Sequence, residues 1–214
     1  PELISHETER RLCAAGGDTA SRYAEVLSFT RLARRVADAM GSAAEECLDN
    51  GGRVVAMAAA AKNLASRLKA YAAVETKPEF LTGLIDAVDE FKRCCISSGD
   101  LSRAAEETEG SLAQKLEELS LLMESYDALR SRGKRDPRDQ MTWLLEQMEQ
   151  GDFAKEHVFY IDGFPDFTRQ HLAILEHLIQ ASPDVTVSLN CDRESSHLLA
   201  FEKAGDTASQ LLRC

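Results

Sequence analysis

At 214 residues, 44% apolar and 29% charged, the chain is long enough for one sizeable core or two modest ones and is globular rather than disordered. Its net charge of −11 excludes a surface coated in basic patches that grips duplex DNA indiscriminately, so any nucleic-acid contact must be local. The longest nearly uncharged stretch, Val54 to Ala61, falls far short of the roughly 20 apolar residues of a bilayer span, and neither a span nor a secretory leader is expected.

The chain opens on Pro1 rather than Met and stops at Cys214 directly after an amphipathic run, so both ends are expected to be cuts in a longer polypeptide. Ile4 to Ala15 reads as a helix that Gly16-Gly17-Asp18 stops. Ala24 to Phe29 is a short apolar run with strand character. Thr30 is then expected to cap a helix whose apolar positions Leu32, Ala33, Val36, Ala37 and Met40 recur at helical spacing, with Gly41 ending it.

From Ala43 to about Gln150 the pattern is helical almost throughout: Arg53 to Val74, Glu79 to Cys95, Leu101 to Glu107, Ser111 to Ser131 and Gln140 to Glu149. Asp100 and Ser111 stand where N-caps are expected. Pro137 closes a basic loop carrying Arg130, Arg132, Lys134, Arg135 and Arg138, a composition that suits a solvated connection better than a DNA grip. Trp143 shares helical spacing with Leu144 and Met148 and reads as core.

After Gly151 the period changes. His157 to Ile161 and Val185 to Leu189 are unbroken apolar runs, and Thr168 to Gln180 between them is a helix. Strand, helix, strand with continuous apolar strands implies an α/β fold: a parallel sheet covered on both faces, which Ala24 to Phe29 is expected to join, interrupted by a large α-helical insertion.

Six cysteines (Cys13, Cys47, Cys94, Cys95, Cys191 and Cys214) include no CxxC and sit among helical apolar neighbours, as in a reduced cytoplasmic protein. His6-Glu7 comes nearest to a zinc-protease helix, but the second His is replaced by Arg10, and no metal site is expected. The histidines form no Ser/His/Asp or Cys/His constellation that spacing reveals.

In an open parallel sheet, ligands bind at the carboxyl ends of strands, which singles out Thr30 and Arg31, Asp162 to Phe167, and Asn190 to Asp192. An Asp ending a buried strand is where nucleotide hydrolases hold magnesium, followed by a carboxylate that orients the attacking water. The residue following Asp162 is Gly163, which orients nothing. Asp162 has a cheaper alternative role in shaping the turn before the Thr168 helix.

The run Phe159-Tyr160-Ile161-Asp162-Gly163-Phe164-Pro165-Asp166-Phe167-Thr168-Arg169-Gln170 and the run Val26-Leu27-Ser28-Phe29-Thr30-Arg31-Leu32-Ala33-Arg34-Arg35-Val36 resemble the AddB (RexB) family of bacterial helicase-nuclease subunits, which pairs "SFTRLA" and "IDGFxxFTxQ" segments around a helical insert. Pro1-Glu2 with Glu7, Glu9, Arg10 and Leu12 is also similar to the segment just after that family's phosphate-binding loop. The same stretches align with superfamily 1 helicases such as UvrD. In that register Asp162 and Asp166 keep two acids of the magnesium-binding motif, while Gly163 replaces its catalytic Glu.

The resemblance implies a partial RecA-like parallel sheet of the P-loop NTPase type, with residues 1–42 and 151–214 as its two parts and residues 43–150 as an insertion like the helicase 1B subdomain. It implies a non-catalytic piece that scans single-stranded DNA for a recombination hotspot during double-strand-break repair, beside an AddA-type helicase-nuclease subunit that supplies translocation. ATP with magnesium and an iron-sulfur cluster would be held by regions outside residues 1–214.

The resemblance carries Phe29, Thr30 and Arg31 over by position as DNA contacts, and Arg34 and Phe164 are further expected contacts. Relatives often carry an aromatic residue at the position of Arg34, which makes a phosphate contact its alternative. By residue type alone Phe29 is the last core residue of its strand, and the resemblance turns it toward the DNA. Phe164 and Phe167 stand equally well as packing partners of Leu172 and Leu175. The competing functions are a working ATPase in which Asp166 replaces the missing Glu, and a structural module whose helical block docks a partner.

Overall fold

The structure is a computed structural model that describes residues 2–17, 19–41, 47–72, 77–130, 134–190 and 201–213. The expected positions Asp18, Val74, Arg132, Cys191 and Asp192 lie outside the described residues. The chain divides into two units, one formed by Pro1–Ala44 with Met141–Cys214 and the other by Glu45–Gln140.

The split unit holds α1 (Glu2–Gly16) and α2 (Phe29–Ala39) before the insertion. α2 starts one residue earlier than Thr30 because Ser28, not Thr30, is its cap: the Ser28 hydroxyl accepts from the Arg31 backbone N–H at 3.3 Å. This corrects the expected strand over Ala24 to Phe29. Residues 24–28 pair with no strand among the described residues, and Phe29 already belongs to the helix. A short apolar run becomes a strand only where a neighbour takes its backbone hydrogen bonds. At the far end Gly41 adopts φ +67°, the left-handed turn that glycine adopts most readily.

The helical unit contains α3 (Asn50–Asn63), α4 (Pro78–Arg93), α5 (Ser98–Glu106) and α6 (Gly110–Arg130), and α7 (Gln140–Gln150) returns the chain to the split unit. The expected insertion boundary near 150 thus falls near 140. Leu144 and Met148 give the reason, since they are buried in one core with Leu32, Val36, Ile174, Leu175 and Leu178.

β1 (Phe159–Ile161), α8 (Arg169–Ala181) and β2 (Val185–Val187) then realise the expected strand, helix, strand. The strands pair in parallel, with Phe159 opposite Val185 and Ile161 opposite Val187. Phe159, Ile161 and Val185 pack on the α8 core. The other face differs from expectation: Tyr160 is 76% exposed and Thr186 is exposed, so among the described residues only one face is covered. α9 (Glu202–Leu211) closes the unit, with Gln210 donating to Glu176 of α8 at 2.8 Å. The fold is therefore α/β but mostly helical, around a two-stranded parallel sheet.

In the helical unit, α3, α4, α5 and α6 bury Met57, Leu84, Val88, Leu101, Leu122 and Tyr126. Two caps differ from expectation by a few residues. Ser97 caps α5 while Asp100 closes the capping box from the third position, and α6 begins at Gly110, one residue before Ser111. α3 ends at Asn63, well short of the expected Val74. The turn that follows is held by Glu118 of α6, whose carboxylate accepts the backbone N–H groups of Lys69, Ala70 and Tyr71 at 2.9 to 3.0 Å. Those donors have left the helical ladder, and a buried carboxylate satisfies all three.

Candidate nucleic-acid interface

Three segments of the split unit converge on one aromatic cluster: the first turn of α2, the turn after β1, and the first turn of α8. Ser28, 4% exposed, fixes where α2 starts and so where Phe29 projects. The Phe29 ring stacks on His171 with centroids 4.3 Å apart and planes 11° from parallel. Its edge meets Phe164 at 5.3 Å, and Phe164 stacks on Phe167 at 5.3 Å. All four rings are half-buried, so the cluster has both a packed side and a wet one.

The turn after β1 is shaped by Gly163, whose φ of +75° lies in the left-handed region that a β-carbon disfavours. α8 is then started by a capping box. Thr168 Oγ1 accepts from the His171 N–H at 3.2 Å, and the Thr168 N–H donates to His171 Nδ1 at 3.4 Å. Thr168 is therefore the cap of this helix. Burial pulls the His171 pKa below its ordinary value, partly opposed by the charge of Asp166. A neutral ring whose Nδ1 accepts carries its proton on Nε2.

The expected contact residues do not all join the cluster. Phe29 and Phe164 do. Thr30 is half-buried beside them, and Arg31 and Arg34 are exposed three residues apart on α2, hence on one side of the helix. Arg35 is drawn instead to Glu25 at 3.2 Å. Phe167 packs with Phe164 as well as against the core.

The acids of the expected magnesium motif stand in no cluster of ligating side chains among the described residues. Asp162 is exposed, Asp166 pairs with Lys203 at 3.4 Å, and among the described residues no group of three or more His, Cys, Asp or Glu side chains is placed to hold a metal.

Sequence reasoning misses His171, although Thr-x-x-His in the capping-box register is a usable signal. In the basic loop Arg138 Nε donates to Asp89 at 2.8 Å and the Arg135 backbone carbonyl accepts from the Leu48 N–H at 2.7 Å, both within the helical unit, while the Arg130 side chain lies outside the described residues. Trp143 packs against the split unit's core, as its spacing implies. The helical unit has an apolar groove of its own, about 330 Å³, lined by Tyr71, Phe80, Leu84 and Leu119 among others.

Among the described residues no helix is long and apolar enough to cross a membrane. A family model described as "ADDB, N-terminal" matches residues 1–214. A protein of Thermoanaerobacter sp. (strain X514), named as a subunit of an ATP-dependent helicase/deoxyribonuclease, is 31% identical over 194 residues, covering 90% of this chain and 17% of that protein. Proteins of the same name from Desulfitobacterium hafniense (strain DSM 10664 / DCB-2) and Clostridium acetobutylicum are 29% and 26% identical, covering 91% and 100% of this chain and 16% and 19% of their own lengths. The chain thus spans less than a fifth of the length of the curated relatives it matches.

Proposed function

Because the chain belongs to the AddB amino-terminal family, we propose that it is the part of an AddB-type helicase/deoxyribonuclease subunit that holds and scans single-stranded DNA without hydrolysing ATP. The observation that carries this is the half-buried ring cluster of Phe29 and Phe164 beside exposed Arg31 and Arg34. An aromatic face takes an unstacked base of any sequence, worth roughly 1 to 3 kcal/mol per base, and an adjacent guanidinium meets the phosphate. The N-terminus of α2, with Thr30 in its first turn, adds backbone N–H groups that favour the same anion. Such a site is local, as a net charge of −11 requires.

The missing motor activity is read from Gly163. Its left-handed backbone belongs to a turn built for glycine, and Asp162 is exposed to solvent. The RecA-like sheet would be completed, and ATP with magnesium and an iron-sulfur cluster held, by parts of the polypeptide outside residues 1–214. Translocation falls to an AddA-type partner in a heterodimer acting in recombination. The compartment is the cytoplasm, in keeping with the lack of a disulfide among the described cysteines. The apolar groove beside Phe80 favours, as a second reading, a docking role for the helical unit toward that partner.

The test is a complex of the full-length subunit with its partner, carrying Phe29→Ala and Arg31→Ala together. Single-strand affinity and hotspot response are expected to fall at least tenfold with ATP turnover of the partner intact. Unchanged strand binding would leave the docking reading in its place.

A further inference from the structure

We propose that His171 is a positioning residue for strand binding, its ring backing Phe29 while its Nδ1 closes the Thr168 capping box, so that α2 and the turn after β1 present one aromatic shelf. The inference rests on the strand-binding reading above and extends it to a residue that reading does not contain.

The geometry is specific. Phe29 is the first residue of its helix, a position where a side chain has no preceding helical turn to rest against and gains rotamer freedom. What holds it is the near-parallel His171 ring at 4.3 Å, with Phe164 on its edge. His171 is itself held twice, through its backbone N–H to Thr168 Oγ1 and through Nδ1 from the Thr168 N–H. The ring is neutral where burial lowers its pKa, so it stacks as an aromatic rather than as a cation seeking water. A base arriving at the open side of Phe29 then meets a ring whose ordering cost was met during folding, which strengthens binding without a new contact to DNA.

Stacking and capping are separable by substitution. His171→Phe keeps a flat ring against Phe29 and loses the Nδ1 acceptor. His171→Asn keeps an acceptor suited to the first turn and loses the ring. Each is introduced into the full-length subunit in complex with its partner, and affinity for a fluorescein-labelled oligodeoxythymidine is measured beside the thermal midpoint. His171→Asn is expected to weaken binding about three- to tenfold, and His171→Phe to stay within about twofold. In a Phe29→Ala background, His171→Asn is expected to add no further loss.

Binding retained by His171→Asn and lost by His171→Phe would assign the residue to capping alone and overturn the proposal. So would a collapsed midpoint in both variants, which would make the ring purely structural. If Phe29→Ala itself leaves affinity unchanged, the strand-binding reading fails. If Phe29→Ala weakens binding and His171→Asn does not, only the role of His171 fails.

Discussion

Arg53 reaches Asp136, 83 residues further along the chain, with Nε 3.3 Å from Oδ2 and both side chains buried. The same guanidinium binds Asp89, which also accepts from Arg138 Nε at 2.8 Å, and Tyr126 donates its hydroxyl to Asp136 at 2.6 Å. Burial alone would pull the Arg53 guanidinium down, but Asp89 and Tyr126 outweigh it and keep it charged. The network ties the first helix of the helical unit to the segment that ends it. Asp136→Asn leaves a buried guanidinium short of one countercharge and is expected to cost about 3 kcal/mol in urea unfolding of the chain. A loss below about 0.5 kcal/mol would show that the network adds nothing to stability.

Acid sensitivity follows from Glu118. Burial raises its carboxyl, but the N–H groups of Ala70, Lys69 and Tyr71 and the amide of Gln114 lower it further, so its folded pKa lies below the ordinary 4.5. A depressed carboxylate stabilises the fold above the unfolded pKa, and that contribution fades as pH falls through the folded value. Asp89, lowered by Arg53 and Arg138 against the opposing effect of burial, acts in the same direction. The stability gap between wild type and Glu118→Gln is therefore expected to be largest near pH 7 and to shrink below about pH 4.5. A gap that widens toward acid would contradict this assignment.

His171 is lowered too, but by burial of a group whose charged form is the protonated one. With its folded pKa below 6.5, the unfolded chain takes up a proton first as pH drops. Wild type is expected to lose stability from about pH 6.5 downward until the folded ring also titrates, and His171→Phe to lack that component. Parallel melting-temperature profiles of the two from about pH 7.5 to about pH 5 would disprove it.

Cys95 holds φ 56° at the end of α4, with its N–H bonded to the Lys92 carbonyl and the Ile96 N–H bonded to the Phe91 carbonyl at 2.8 Å. This is the hydrogen-bond pattern in which helices usually place glycine. Relief of left-handed strain, about 1 to 2 kcal/mol, exceeds the extra chain entropy glycine brings. Cys95→Gly is expected to raise stability by about 0.5 to 1 kcal/mol, while Cys94→Gly, at φ −86°, is expected to lower it. A destabilised Cys95→Gly chain would mean the thiol contributes more than the strain removes.

In a subunit proposed to lack motor activity, Gly163 stands where a superfamily 1 helicase carries its catalytic Glu. With φ +75° there, Gly163→Glu is expected to cost about 1 kcal/mol of stability and to add no ATP turnover to the full-length subunit, whereas Gly163→Asn is expected to cost less. Turnover gained by Gly163→Glu would revive the ATPase reading.

Periodicity marked α2 and the strand, helix, strand of β1, α8 and β2, because the spacing of Leu32, Ala33, Val36 and Ala37, or the unbroken run into Ile161, reports a buried stripe or face whatever it packs against; it did not mark where α3 ends. The "SFTRLA" and "IDGF" segments singled out Phe29 and Phe164 separately, and only the fold shows that their rings meet. Pairing partners were beyond the sequence. Residues 24–28 are apolar enough for a strand, yet a strand exists only when another backbone accepts its hydrogen bonds, and helix α7 joined the split unit because its apolar stripe found that core. His171 belongs to the same class: Thr-x-x-His in a string of residues suggests a capping box, but only the fold decided that its ring lies flat against Phe29.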